Sequence, residues 1–313
     1  DVVPVEPGTE KDWREPPFSG VIKDGYVWGR GAMDFKVGAT AMLEAIENLT
    51  AQGFRPERTV LLGFGHDEEI GGANGARKIA EILAKRGTQL AFVLDEGLVI
   101  IHQGIPGLDA PVALIGLAEK GFISLKLEAR SSGGHSSSPG RTTAAGRIGR
   151  AVHRLEADPF PPRLTEPMAR FFDTLGPHLP FMTKLAAANR WLLEGTIVGK
   201  LASQPGTDAL VRTTTAVTML AGSPKDNVLP QIASAVVNFR ILPGDTIARV
   251  IKRVKSVIDD AEITVTRFGA FSSDPSRVSS SRSKPYRLIE RAIRQVFPDV
   301  WVAPSLMIAA TDA

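Results

Sequence analysis

Thr59-Val60-Leu61-Leu62-Gly63-Phe64-Gly65-His66-Asp67-Glu68-Glu69 opens on a nearly continuous apolar run and ends on a cluster of acids. A run of this length, bounded by glycine, reads as a strand buried on both faces. The pattern returns at Leu90-Ala91-Phe92-Val93-Leu94, followed at once by Asp95-Glu96. Helical spacing over 76–85 separates the two runs, and a second helical pattern at 37–49 precedes them, after an extended piece at 25–29. Strand and helix signals in alternation predict an α/β architecture, with both acidic clusters at the carboxyl edge of an open sheet, where ligands bind.

The composition narrows what such a site can do. At 313 residues, 43% hydrophobic and 23% charged, the chain is long enough for one large or two ordinary cores. Its 37 basic and 34 acidic residues are scattered, so the net charge of +3 does not mark a nucleic-acid surface. No cysteine is present, which excludes disulfides, thiolate nucleophiles and Cys-ligated zinc. Any metal must be held by histidine and carboxylate. No apolar run reaches the roughly 20 residues that cross a bilayer, and the chain reads as soluble. Its compartment is left open, with the cytoplasm favoured over periplasm or secretion.

Beyond Glu119 the texture changes. Residues 122–129 alternate as a half-exposed strand, 144–155 read as a helix, 235–242 as a strand, 246–258 as a helix and 263–268 as another strand. Two helices on an alternating sheet describe a small α+β module inserted into the first domain. The Ser-, Arg- and Pro-rich stretch 272–284 reads as the linker back, with a helix at 286–296 and a buried strand at 301–309 after it. The expected division is a catalytic domain over 1–117 and 273–313, with an inserted lid over 118–272. Residues 159–206, rich in Phe, Leu and Trp, read as an extra helical pair within the lid. Their apolar density also suits a cover over a substrate side chain or acyl group.

Three acidic sites follow extended or Gly-rich segments: Asp34 after Trp28-Gly29-Arg30-Gly31-Ala32-Met33, the pair Glu68-Glu69, and Asp95. Taken singly, each reads as a helix cap or a solvated charge. Taken together they supply what two neighbouring divalent cations require: a bridging carboxylate, further carboxylate ligands and one base for a bridging water.

Six ordered segments carry a resemblance. They are Asp1-Val2-Val3-Pro4, Gly29-Arg30-Gly31-Ala32-Met33-Asp34, Asp67-Glu68-Glu69 with Gly71-Gly72, Gly133-Gly134-His135-Ser136-Ser137, Asn227-Val228-Leu229-Pro230 and Thr311-Asp312-Ala313. Together they resemble the signature of the zinc metallopeptidase family of aminoacylase, acetylornithine deacetylase, succinyl-diaminopimelate desuccinylase and carboxypeptidase S. Arg212-Thr213, Gly222-Ser223-Pro224-Lys225 and 238–244 look most like the carboxypeptidase S branch.

The resemblance implies a phosphorylase/hydrolase-like mixed-sheet catalytic domain with a ferredoxin-like lid. It also implies two zinc ions, replaceable by cobalt or manganese, and hydrolysis of an amide or peptide bond beside a free carboxylate. Small peptides or N-acyl amino acids are the implied substrates. Asp34 would bridge the metals, Glu69 and Asp95 would complete one site each, and Glu68 would be the general base. Asp1 would orient a histidine ligand just upstream, and a second histidine would follow Ala313, so the reading expects a longer parent chain and an inactive protein without it. His135 would stabilise the oxyanion, in some relatives from the partner subunit of a dimer. Asn227 and Arg240 would hold the substrate, and the lid would offer a homodimer surface. The rival reading is a non-catalytic small-ligand-binding protein on the same fold. A serine hydrolase using Ser136 or Ser137 lacks the Gly-x-Ser-x-Gly elbow.

Overall fold

The computed structural model describes residues 2–312, and the expectation for Asp1 lies outside them. By contact density the chain forms two compact units, one of residues 1–96 with 311–313 and one of residues 97–310.

The first unit begins with a hairpin of β1 (Val21–Lys23) and β2 (Tyr26–Trp28). Asp24 and Gly25 both take positive φ, 54° and 79°, which matches the twist of a two-residue hairpin turn. A π-helical turn at Ala32–Lys36 leads into α1 (Val37–Ala51), and α2 (Ala76–Lys85) follows later. Both helices stand where the apolar spacing predicts them. The two expected buried strands do not form. Residues 59–64 and 90–94 are neither helix nor strand, and Val60, Leu61, Leu62, Phe64, Leu90, Phe92, Val93 and Leu94 are all exposed. A strand buried on both faces needs ladder partners on either side and cover above and below. Among the described residues of this unit the only strands are those of the β1–β2 hairpin, so these runs have no ladder partners there.

The second unit contains two larger sheets. In chain order its elements are β3 (Ile100–Ile101), β4 (Val112–Glu119), β5 (Gly121–Arg130), β6 (Gly134–His135), α3 (Ala144–Ala157), α4 (Glu166–Leu175), α5 (Phe181–Ala188), α6 (Arg190–Ala202), α7 (Pro205–Val211), β7 (Thr214–Ala221), β8 (Val228–Leu229), β9 (Ile232–Ile241), α8 (Ile247–Ile258), β10 (Ile263–Ser273), α9 (Lys284–Val296) and β11 (Trp301–Met307). The larger sheet runs β10-β5-β9-β7, antiparallel throughout. Ile123, Leu125, Leu127 and Ala129 of β5 alternate inward and meet Ala235, Val237, Phe239 and Ile241 of β9. Ile148 and Leu155 of α3 and Val250, Val254 and Ile258 of α8 close the same core. Thr143 and Thr246 cap these helices, accepting from the N–H of Gly146 and Arg249 respectively.

The smaller sheet, β11-β4-β3, is mixed: β11 runs parallel to β4 and β3 antiparallel. Its two faces are both covered, one by Tyr286 of α9 over Ala113, Ile115 and Val302, the other by Leu175 of α4 over Val112 and Ala303. Where the sequence predicts an extra helical pair at 159–206, the structure has four helices, α4 to α7, the last reaching Val211.

The sheets meet at Glu119–Gly121. There Lys120 is 1% exposed, and its Nζ donates to the carbonyls of Ala209 (2.9 Å) and Arg212 (2.7 Å). Burial, reinforced by Arg240 and opposed by Asp208, lowers its pKa to about 8.

Candidate active site

The acids of the first unit gather around one turn. Glu68–Ile70 is a single 3-10 turn, held by Ile70 and Gly72 N–H donating to the Asp67 carbonyl at 3.2 and 2.8 Å. Asp67 is buried, and its Oδ2 accepts from Asn74 N–H at 2.7 Å. Gly71 and Gly72 both take positive φ. A Cβ on Gly72 would stand 2.6 Å from Cβ of Asp312, so only glycine lets Asp312 approach here.

Six carboxylates besides that of Asp67 share this neighbourhood. The carboxyl of Glu68 is raised to about 7, first by burial and then by Glu69, Glu96, Asp312 and Asp34. Glu96 is raised for the same reasons: burial first, then Asp34, Asp95, Asp312 and Glu69. Asp34 sits in the turn after Gly31, at φ −114° and ψ 96°, and the Asp34–Phe35 peptide is cis. Asp95 accepts the N–H of Glu96 through Oδ1 at 2.8 Å. The structure thus brings Asp34, Glu68, Glu69 and Asp95 into one field, and adds Glu96 and Asp312, to which the sequence reading gave no role.

Crowded carboxylates repel, and a divalent cation would relieve that repulsion through hard oxygen donors. In charge and donor type the set fits such an ion. Among the described residues, however, no three His, Cys, Asp or Glu side chains converge closely enough to hold one.

In the second unit, His135 and Asn227 are brought together by the short β6–β8 ladder, in which His135 pairs with Val228. Ser136 N–H donates to the Asn227 carbonyl at 3.1 Å, and Asn227 Oδ1 is buried without a hydrogen-bond partner among the described residues. His135 Nδ1 accepts from Ser137 N–H at 3.2 Å and lies 2.8 Å from Ser137 Oγ. An accepting Nδ1 leaves the neutral ring's proton on Nε2, free to donate outward. Arg240 stands elsewhere, eight residues along β9 from Ile232, roughly 26 Å at strand rise. Its guanidinium lies 4.8 Å over the Phe122 ring, with no ion pair among the described residues, and burial lowers its pKa.

The family model of "Peptidase family M20/M25/M40" matches residues 1–313. The chain belongs to this family. Among its M20 relatives, "Probable carboxypeptidase S-like 2" of Dictyostelium discoideum is 43% identical over 302 residues, covering 96% of this chain and 58% of its own. The "N-fatty-acyl-amino acid synthase/hydrolase PM20D1" of Bos taurus is 39% identical over 313 residues, covering 99% and 62%. The chain therefore spans about three fifths of the length of these relatives. Among solved structures, the M20 family metallo-carboxypeptidase Sso-CP2 from Sulfolobus solfataricus aligns with TM-score 0.66 at 20% identity, covering 100% of this chain and 71% of its own. Human carnosine dipeptidase 1 aligns with TM-score 0.61 at 15% identity, covering 97% and 66%. These two share the M20 fold with this chain, the mixed α/β architecture expected from the sequence. No helix among the described residues is long and apolar enough to cross a membrane.

Proposed function

We propose that the chain is the larger part of a metal-dependent hydrolase that cleaves an amide or peptide bond beside a free carboxylate, in a small peptide or an N-acyl amino acid. The observation that carries this reading is the gathering of Asp34, Glu69, Glu96 and Asp312 around Glu68. Membership of the M20 family and the names of the relatives support the reaction class.

Asp34, Glu69 and Asp95 are the residues that would hold the metal, with two zinc ions the proposed complement and cobalt or manganese as substitutes. When bound, the metal polarises the scissile carbonyl and acidifies water. Glu68 takes a proton from the attacking water and delivers it to the leaving nitrogen. His135 donates its Nε2–H to the developing oxyanion. Asn227 holds the substrate backbone, and Arg240, half-buried and without an ion pair among the described residues, holds the carboxylate. Asp1 keeps its proposed role of orienting a histidine ligand. His135 and Arg240 lie far apart along one module, which supports a homodimer in which Arg240 of one copy works with His135 of another. The division into 1–117, 118–272 and 273–313 belongs to the same proposal and is supported by the sheet change at Lys120.

A second reading, a non-catalytic small-ligand-binding protein, draws on the lack of three converging ligands among the described residues. The deciding experiment measures zinc by plasma mass spectrometry on the product of the full-length gene, with turnover of an N-acyl amino acid by wild type and Glu68→Ala. Bound zinc in both proteins, with activity reduced about a thousandfold in the variant, is the expected result. Absence of both metal and turnover would leave the binding protein.

A further inference from the structure

The helices α4 to α6 leave a cleft that the proposed chemistry does not use. It has a volume of about 410 Å³ and is walled by Phe172, Pro177, Ala187, Ala188 and Trp191. Around it the apolar surface is unusually open: Trp191 is 82% exposed, Phe181 73% and Met182 71%. Helix α5, Phe-Met-Thr-Lys-Leu-Ala-Ala-Ala, buries none of its eight residues. A helix this short has marginal stability alone, and apolar side chains displayed together mark a surface that binds something.

Charge selects among the occupants. Arg190 donates to Asp173 Oδ1 at 2.6 Å and to the Ala169 carbonyl at 3.1 Å, and Arg170 donates to Asp173 Oδ2 at 3.3 Å. Lys184, on the cleft wall, is exposed and forms no ion pair among the described residues. Both arginines engage Asp173, and Lys184 is a further cation on the cleft wall. A ligand that fits carries an anionic head for Lys184 and an unbranched apolar body for the Trp191 wall.

We propose that this cleft binds a long-chain carboxylate, with its head at Lys184 and its alkyl chain along Trp191 and Ala188. As a holding site for the acid that an N-acyl amino acid hydrolase releases, it rests on the proposed function; as a binding site it does not.

The test titrates sodium hexadecanoate, below its micelle concentration, into the full-length protein by calorimetry. Saturable binding of one molecule per chain is expected, weakened at least fivefold by Lys184→Glu and by Trp191→Ala. Both positions are exposed, so these variants should keep the wild-type circular dichroism. Hexadecyltrimethylammonium, which has the same chain length and the opposite charge, should show no saturable binding. The proposal is overturned if wild type does not bind hexadecanoate, if the ammonium binds equally, or if neither variant weakens binding. It is also overturned if Trp191→Ala only dissociates a dimer of wild type that takes up no fatty acid. Turnover assayed in parallel reports on the proposed function alone, so the two can fail separately.

Discussion

The two compact units divide the labour of the molecule unevenly. Every buried aliphatic, aromatic or methionine side chain among the described residues lies in the second unit, from Leu108 to Leu306. The first unit has none, and its Leu62, Phe64, Phe92 and Leu94 are 42 to 67% exposed. Yet the first unit holds all six crowded acids. The apolar core and the crowded acids lie in different stretches of chain. Crowded carboxylates cost folding energy, and they persist where a ligand, and not a core, is there to offset the repulsion.

The contrast can be broken most directly at Phe239, fully buried and in edge contact with Phe160 at 6.1 Å. Phe239→Ala should cost about 4 kcal/mol in urea unfolding of the full-length protein, whereas Leu62→Ala in the first unit should cost under about 1 kcal/mol. Equal costs would erase the distinction.

Lys120 sharpens it through pH. Its pKa is about 8 in the folded protein against an ordinary 10.5, because burial disfavours the ammonium. The unfolded chain holds this proton to higher pH than the folded one, so wild type gains stability as pH rises through about 8 towards 10.5. Lys120→Met lacks that gain. The stability of wild type relative to the variant should therefore grow by about 3 kcal/mol between about pH 7 and about pH 11, read from thermal melts of both proteins.

Smaller effects follow from single bonds in the second unit. Thr213 Oγ1 donates to buried Asp245 at 2.6 Å and accepts from Leu242 N–H at 3.0 Å. Thr213→Val should lower stability by about 2 kcal/mol, since both partners remain buried. Thr246→Ala removes the α8 cap and should cost about 1 kcal/mol. The first unit offers no counterpart, because neither α1 nor α2 has a side-chain cap.

How much of this the sequence shows depends on whether the information is local. The alternation in β5 and β9 and the apolar faces of α3 and α8 are read correctly because each element buries one face against a nearby partner. Residues 59–64 and 90–94 carry an equally clear apolar signal, but a doubly buried strand is completed only by neighbours on both sides, and the runs themselves do not record whether those are present. The acids behave likewise. Asp34, Glu68, Glu69 and Asp95 stand out by their glycines and their motif. Glu96 looks like the spare neighbour of Asp95, and Asp312 looks like part of a terminal motif, until folding sets both against Glu68. The signal for Asp312 was the Gly71-Gly72 pair, which signals close approach without naming what approaches. Lys120 had no local signal at all, since a lysine between two strands reads as solvated.

The chain enters the four-stranded sheet at Gly121 and leaves it at Ser273, and these two points touch. A Cβ on Gly121 would lie 2.5 Å from the Ser273 carbonyl, Phe122 pairs with Ser273, and Glu119 bonds Ser276 through both its N–H and its carbonyl. Because its two ends meet, the stretch 121–273 can be exchanged for another through a single junction, as long as the incoming piece brings an equivalent of α4, whose Leu175 packs on Val112 and Ala303 of the smaller sheet. The same adjacency marks this stretch as the natural unit for grafting between relatives, with the junction and the fit of Met168 and Leu242 against Ala118 and Leu306 deciding whether the hybrid folds.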